Sequence, residues 1–285
     1  MTEAYQFELL ELTPAELDQL SGLLRLVFPA ARHLTARYLA WHLADNPDGR
    51  AVGCNAFLGD ALVGHMAAMP MRVRFHGEEV RCLFMTNGAV HPDHRGRKLQ
   101  SRISDALFEE AAARGYPFVL GTGNKYSTGP LLTRFRLIGA LDAQIGYGLP
   151  RRREAAAEPQ FERRWSEEAL RWRLDNPERH YRVKRRDEQV TITAATGTPG
   201  IGAILYDGPD HWRTGDRNPD LPGAGPLKVW IGLDTGIDWA RSSYLRIPMR
   251  LRPSPLNLAF KDLSGGLVMP DATRMVFRAL DFDPY

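Results

Sequence analysis

The apolar positions of the chain change period several times, and each change marks an element. Leu17, Leu20, Leu24 and Val27 recur at helical spacing behind Thr13-Pro14-Ala15-Glu16. There Thr13 can cap, Pro14 suits the first turn and Glu16 completes a capping box. A second helix is predicted from Thr35 through Trp41 and Leu43, ending before Asn46-Pro47. The pattern then alternates, predicting strands over residues 52–58, 61–75 and 80–90, with turns at Gly59-Asp60 and His76-Gly77 and a stop at Pro92. Leu99, Ile103, Ala106 and Leu107 mark a helix from Lys98 to Arg114, with Gly115 as its stop. Residues 118–121 read as a buried strand, 131–135 as a short helix and 140–147 as another strand.

The stretch from Gly148 to Gln160 has charge, alanine and proline but no period, and reads as a linker. Beyond it a pattern recurs. TARYLAWHLADNP, from Thr35, aligns with SEEALRWRLDNP, from Ser166. Thr35, Leu39, Trp41 and Leu43 match Ser166, Leu170, Trp172 and Leu174, and both segments end in Asp-Asn-Pro with one residue of slip. Strand-turn-strand patterns follow in each case, over 181–184 and 189–195 in the second. This argues for duplication, with units at 1–149 and 161–285 joined by a linker at 150–160. Residues 206–226 carry loop chemistry, and 227–234 and 256–260 read as strands.

Composition adds modest limits. The chain has 285 residues, 44% apolar and 25% charged, and a net charge of +3. That is ordinary for a globular protein and suits an anionic ligand without requiring nucleic acid. Cys54 and Cys82 read as buried free thiols. The N-terminus shows no secretory pattern and no apolar run reaches the ~20 residues of a membrane helix, so a cytoplasmic protein without membrane attachment is expected.

The distinctive chemistry lies in GAVHPDHRGRKLQSRI, from Gly88 to Ile103. A turn entering a helix exposes unpaired N–H groups, and the helix dipole adds positive character there. Gly96 permits close backbone approach, and Arg95, Arg97 and Lys98 add charge. A pyrophosphate site is expected. It is not a P-loop, because no Gly-Lys-Ser/Thr follows, nor the three-glycine dinucleotide fingerprint.

In this context Val90 to Arg97 resembles the Val-x-Pro-x-x-Arg-Gly-x-Gly motif with which GNAT acyltransferases bind acetyl-coenzyme A. GNKYSTGPLLTRFRLIG, from Gly123, is similar to a later family segment, with Asn124 and Phe135 at matching positions. The resemblance covers residues 7–149. It implies an α/β fold of α+β type: a mixed, largely antiparallel sheet flanked by helices, here in tandem with a degenerate second half that shapes the acceptor pocket. It further implies that Ala89 and Val90 receive the thioester and pantetheine arm. The amides of Arg95, Gly96, Arg97, Lys98 and Leu99 would hold the pyrophosphate, and Asn124, with Ser127 beside it, would meet the pantetheine. Lys98 and Gln100 depart from the family's small residues, and Arg134 stands where it has Gly. The usual tyrosine acid falls near Pro130 and Leu131, with Tyr126 the nearest phenol.

Asn87 and His91, with Thr86, lie on or just beyond the central strand and are candidates to polarise the thioester or accept the amine proton. His65 reads as a core histidine, and Glu78 and Glu79 as hairpin solubilisers. His91 and His94 lack further ligands at metal spacing, and no covalent-catalysis elbow appears, so no metal is expected. The arginines of Arg151 to Arg186, interleaved with Trp165, Trp172 and acids, read as the mixed-charge outer face of a helix. The resulting expectation is an acyl-coenzyme A-dependent N-acyltransferase, moving an acetyl or larger group to a small polar amine such as an amino sugar. The alternatives are a catalytically degenerate GNAT-like binding protein and a Fem-type transferase using aminoacyl-tRNA.

Overall fold

The computed structural model describes residues 4–153, 158–212, 215, 217 and 225–282. Parts of the linker, including Glu154, and of the 206–226 segment lie outside them. Strand β1 (Gln6–Leu9) precedes α1 (Pro14–Val27) and α2 (Ala36–Leu39). Strands β2 (Val52–Leu58), β3 (Ala61–Phe75) and β4 (Glu78–Val90) form an antiparallel meander. Helix α3 (Leu99–Ala113) then crosses to β5 (Phe118–Gly123), parallel to β4. Next come α4 (Thr128–Leu132), β6 (Arg136–Ala140), β7 (Asp142–Tyr147), β8 (Phe161–Arg163) and α5 (Glu167–Leu174). The chain continues through β9 (Tyr181–Arg186), β10 (Gln189–Ala195), β11 (Ile201–Pro209) and β12 (Leu227–Asp234). It finishes with β13 (Tyr244–Arg246), β14 (Asn257–Asp262), β15 (Met275–Arg278) and α6 (Ala279–Phe282).

The strands form one continuous mixed sheet, largely antiparallel, in which the halves exchange strands. From the C-terminal half, β14 lies antiparallel between β5 and β6. From the N-terminal half, β7 lies antiparallel between β12 and β13. The strand predicted over 140–147 is β7, beginning two residues later, while residues 136–140 form a further strand, β6, in a different part of the sheet, with buried Leu141 at the break. Residues 150–160 do not separate two sheets. Strand β8, just beyond them, pairs with β3 of the first half and β15 of the second. Two other expectations shift. The helix predicted over 131–135 begins earlier, at Thr128, and the loop chemistry from Tyr206 onward begins inside β11.

Helix α3 covers one face of the first half, burying Leu99, Ile103, Leu107 and Ala111 against Val63, Met66, Leu83 and Val119. On the other face α1 and α2 bury Leu20, Leu24 and Leu39 against Ala67, Met69 and Ala89. A third core joins the halves, with Phe84, Phe118, Leu120 and Phe260 meeting Phe161, Leu233 and Phe277. Each fully buried phenylalanine there contributes about 1.5–3 kcal/mol.

The repeated segments match in local geometry. Thr35 and Ser166 cap their helices through the amides of Tyr38 and Ala169, at 3.2 and 3.1 Å. Asn46 and Asn176 each accept the amide two residues on, from Asp48 and Glu178. Trp41 and Trp172 stack with ring centroids 4.9 Å apart. Each indole Nε1 donates to the other's carbonyl, at 3.0 and 2.9 Å. The one-residue slip has a structural form as well. After α2 the chain winds as a π turn over Ala40–Ala44, which absorbs an extra residue within a helix.

The arginine-rich segment does not form the expected outer face throughout. Arg171 is exposed and pairs with Glu167, but Arg173 is fully buried against Trp172, and Arg163 is buried with its guanidinium 3.6 Å from the Trp165 ring centre. Packing between the halves turns them inward.

Trp172→Phe keeps the stacked ring but removes the donor to the Trp41 carbonyl. A loss of about 1–2 kcal/mol is expected in urea unfolding, against about 3–5 kcal/mol for Trp172→Ala. Equal losses in the two variants would show that stacking contributes nothing.

Candidate active site

Strands β4 and β5 pair only at Leu83–Val119 and Phe84–Leu120, although they continue to Val90 and Gly123. Beyond Phe84 they part, and no described strand enters the wedge. The second half has the same arrangement, with a different outcome. There β11 and β12 pair in parallel from Ile201–Leu227 to Ile204–Trp230 and then separate. Into that gap runs β15, pairing Val276, Phe277 and Arg278 with Asp234, Leu233 and Gly232. Gly232 meets Asp142 of β7 on its other side, which places β15 on the β11 side. The second wedge is filled by the chain itself.

Along the first wedge β4 carries a bulge. His65 pairs with Ala89 and Ala67 with Thr86, so Met66 alone opposes Asn87 and Gly88. Asn87 adopts the left-handed region, φ 55°. Ala89 is buried, while Asn87 and Val90 are half-buried. The bulge puts the Asn87 side chain against Thr86, whose Oγ1 donates to Asn87 Oδ1 at 2.9 Å.

The wedge opens toward the basic turn. Pro92–His94 form one 3-10 turn, begun by His91, whose Nδ1 accepts from the Asp93 amide at 3.3 Å. Gly96 and Lys98 then take positive φ, 75° and 59°. Lys98 holds the cap position of α3, so the helix begins at Leu99, one residue later than predicted. A left-handed lysine costs about 1–2 kcal/mol. Among the described residues no backbone or side-chain acceptor meets the amides of Gly96, Arg97, Lys98 and Leu99. Arg95, Arg97 and Lys98 are exposed around them, and Leu99 is buried, fixing the helix start. Such a set of donors accommodates an anion. Arg97 donates to Tyr5 Oη at 3.0 Å, and Tyr5 Oη bonds His94 Nδ1 at 2.9 Å. Tyr5, from a segment without periodicity, was not legible as part of this turn.

Across the wedge, Asn124 caps the start of α4. Its Oδ1 accepts from the Tyr126 and Ser127 amides at 2.8 and 3.0 Å and from Ser127 Oγ at 3.1 Å. The carboxamide oxygen is thus committed locally; Ser127 Oγ in turn accepts the Asn124 amide at 2.9 Å. Gly123 is required here, since a Cβ would lie 2.8 Å from Thr128 Cα. Tyr126 is 78% exposed, with Lys125 over its ring. Arg134, at the family's glycine position, is paired with Asp105 of α3.

Behind β4 lie two buried histidines. His65 Nδ1 bonds Asn55 Oδ1 at 2.7 Å, and Asn55 Nδ2 donates to Glu16 Oε1 at 2.7 Å. His42, inside the π turn, bonds Thr86 Oγ1 through Nε2 at 3.2 Å and stacks on Tyr38. Burial depresses both imidazoles to about 3, with Arg173 and then His33 adding to the effect at His42. The thiols of Cys54 and Cys82 are free and buried; burial raises Cys54 to about 11 and Cys82 further. Among the described residues no group of three His, Cys, Asp or Glu is placed to hold a metal, and no helix is long and apolar enough to cross a membrane.

Residues 8–135 match the acetyltransferase (GNAT) domain family. The mixed sheet flanked by helices is the fold that similar solved structures share. Similar solved structures extend over nearly the whole chain. A conserved protein from Enterococcus faecalis, described as a probable N-acyltransferase, is 12% identical with a TM-score of 0.63, over 92% of this chain and 73% of its own. A GCN5-related N-acetyltransferase from Kribbella flavida is 14% identical, TM-score 0.58, over 91% and 72%. N-myristoyltransferase of Saccharomyces cerevisiae, solved with myristoyl-CoA, is 11% identical, TM-score 0.57, over 92% and 80%. No curated protein sequence matches significantly.

The buried histidines set an acid limit on stability. Both stay neutral when folded down to about pH 3, whereas the unfolded chain protonates them near 6.5. Their contribution is complete above pH 6.5 and declines as pH falls from there toward 3, by up to about 1.4 kcal/mol per pH unit for each. Urea unfolding between pH 7.5 and 4.5 is expected to show this decline, and to show a shallower one in His65→Gln.

Proposed function

We propose that this protein is an acyl-coenzyme A-dependent N-acyltransferase acting on a small polar amine. The observation that carries the reading is the open wedge between β4 and β5, ending at a turn whose amides have no acceptor among the described residues. A pantetheine arm is an extended chain of amides. It can lie in the wedge and bond the backbone groups of Ala89 and Val90 that β5 does not reach. Its pyrophosphate then meets the amides of Gly96 to Leu99, with Arg95, Arg97 and Lys98 around it. Asn124 faces the arm with Nδ2, the part of its side chain that its capping role leaves free, and Ser127 supports that cap. The filled wedge of the second half leaves that half to shape the acceptor side. The matched caps, Asn turns and paired tryptophans support its origin by duplication.

The reaction needs no covalent enzyme intermediate. A neutral amine attacks the thioester carbonyl carbon, the carbonyl oxygen takes up charge, and collapse expels the coenzyme A thiolate while the amine gives up its proton. Asn87 stands at the wedge to polarise the carbonyl. His91, half-buried beside β4, receives the proton directly or through water. The thiolate leaves with limited help, because Tyr126, the phenol nearest the usual acid position, is largely in solvent. The resemblance to an enzyme that holds myristoyl-CoA is consistent with an acyl group larger than acetyl. A tRNA-linked donor is disfavoured, because Arg163 and Arg173 of the basic segment are buried.

Calorimetric titration with acetyl-coenzyme A tests the site. Reversing Arg95 and Arg97 together to Glu is expected to weaken binding by at least ~100-fold, since charged hydrogen bonds contribute about 1.5–3 kcal/mol each. Both residues are exposed, so the fold is expected to survive. Unchanged affinity would place the ligand elsewhere. Tyr126→Phe is expected to lower thiol release less than tenfold, below the ~100-fold minimum typical of general acid catalysis; a thousandfold collapse with intact binding would make Tyr126 the acid.

A further inference from the structure

The mechanism leaves His42 unused, although its side chain is bonded to the reacting strand. His42 lies in the π turn Ala40–Ala44, is only 6% exposed, and reaches Thr86 on β4 with Nε2. Thr86 Oγ1 has one hydrogen, and it goes to Asn87 Oδ1. The hydroxyl must therefore accept from His42, which fixes the Nε2–H tautomer. Asn87 in turn has its carboxamide oxygen committed, so its Nδ2 hydrogens are what it can offer to a ligand. The bulge and the positive φ of Asn87 hold this arrangement at the place where β4 leaves β5.

The π turn is itself fixed from the other half. Trp41, the neighbour of His42, is gripped by Trp172 through stacking and two reciprocal hydrogen bonds. Tyr38 stacks on the His42 ring at 5.2 Å and 17°. The π turn absorbs the segment's additional residue, which follows Leu43. The second segment, which lacks that residue, carries Arg173 at the position of His42.

We propose that His42 is a positioning residue that, through Thr86, orients the Asn87 carboxamide so that Nδ2 donates to the thioester carbonyl oxygen, and that the second half sustains this geometry through the Trp41–Trp172 pair. The proposal rests on the acyl-coenzyme A reading of the wedge. It gives the degenerate half a role in the chemistry without a ligand of its own. The relay moves no proton: the imidazole stays neutral and serves as a fixed donor.

Two measurements separate the relay from that reading. In the ligand-free protein, spectra of nitrogen-15 histidine are expected to show His42 as a single neutral Nε2–H tautomer from pH 5 to 8. Thr86→Val is expected to shift the Asn87 side-chain amide signals, and Thr86→Ser to leave them near wild type. An Nδ1–H tautomer, or Asn87 signals unmoved by Thr86→Val, overturns the relay whatever the protein binds. With acetyl-coenzyme A and an amine acceptor, Thr86→Val is expected to lower kcat about tenfold, the worth of one hydrogen bond, with KM for acetyl-coenzyme A within about twofold. Thr86→Ser is expected to restore the rate, and Thr86→Val with Asn87→Ala to be no slower than Asn87→Ala alone. Additive losses, or a serine variant as slow as the valine one, overturn the relay while binding stands. Failure of the wild type to bind acetyl-coenzyme A in calorimetry overturns the proposed function, and the carbonyl role of Asn87 with it.

Discussion

Two parallel strands that part leave backbone N–H and C=O groups facing a gap, and buried groups of that kind must find partners. This constraint organises the molecule. It arises twice, where β4 leaves β5 and where β11 leaves β12. In the second half the chain answers it with β15, whose backbone pairs with the end of β12. In the first half no described strand does so, and the gap leads to a turn whose own amides meet no acceptor among the described residues. Under the proposed function, an extended ligand with amides along its length and phosphates at its end would satisfy both sets of groups. The halves thus share a frame, and they differ in whether a described strand completes it.

Strand exchange makes that frame rigid. Each half lends a strand to the other, so neither sheet is complete alone. The junction is polar as well as apolar. Arg163 is buried between Asp48 and the Asp281 carbonyl, while Asp281 accepts from the Trp165 indole at 3.0 Å and the Arg278 amide at 2.7 Å. Burial raises Asp281, with Arg163 opposing that shift. A buried pair of this type adds little net stability, but removing one partner strands the other. Arg163 thus ties Asp48 of the first half to the C-terminal end of the second.

Much of the first half was legible because its signals are local. The capping box at Thr13, the hairpin turns, and the apolar stripe from Leu99 to Leu107 each act within a few residues. The basic turn was legible for the same reason, and even the π turn left a trace as the one-residue slip in the repeat. Asn124 was found by position, but its capping bonds were not, since they depend on how sharply the chain folds after Gly123. His42 and Thr86 gave no signal as a pair, because 44 residues separate them and neither belongs to a motif.

By itself the sequence determined the helices, the meander, the basic turn and the recurrence of the Trp-containing helix, all matters of short-range propensity and periodicity. Only the tertiary structure decided that residues 136–147 divide between two parts of the sheet, that Arg163 and Arg173 turn inward, that β15 closes one wedge, and that His42 stands behind Asn87. The physical reason is that strand pairing and burial are set by partners far along the chain. A strand's own residues favour extension, but the neighbour it takes, and the gap it leaves or fills, depend on the whole fold.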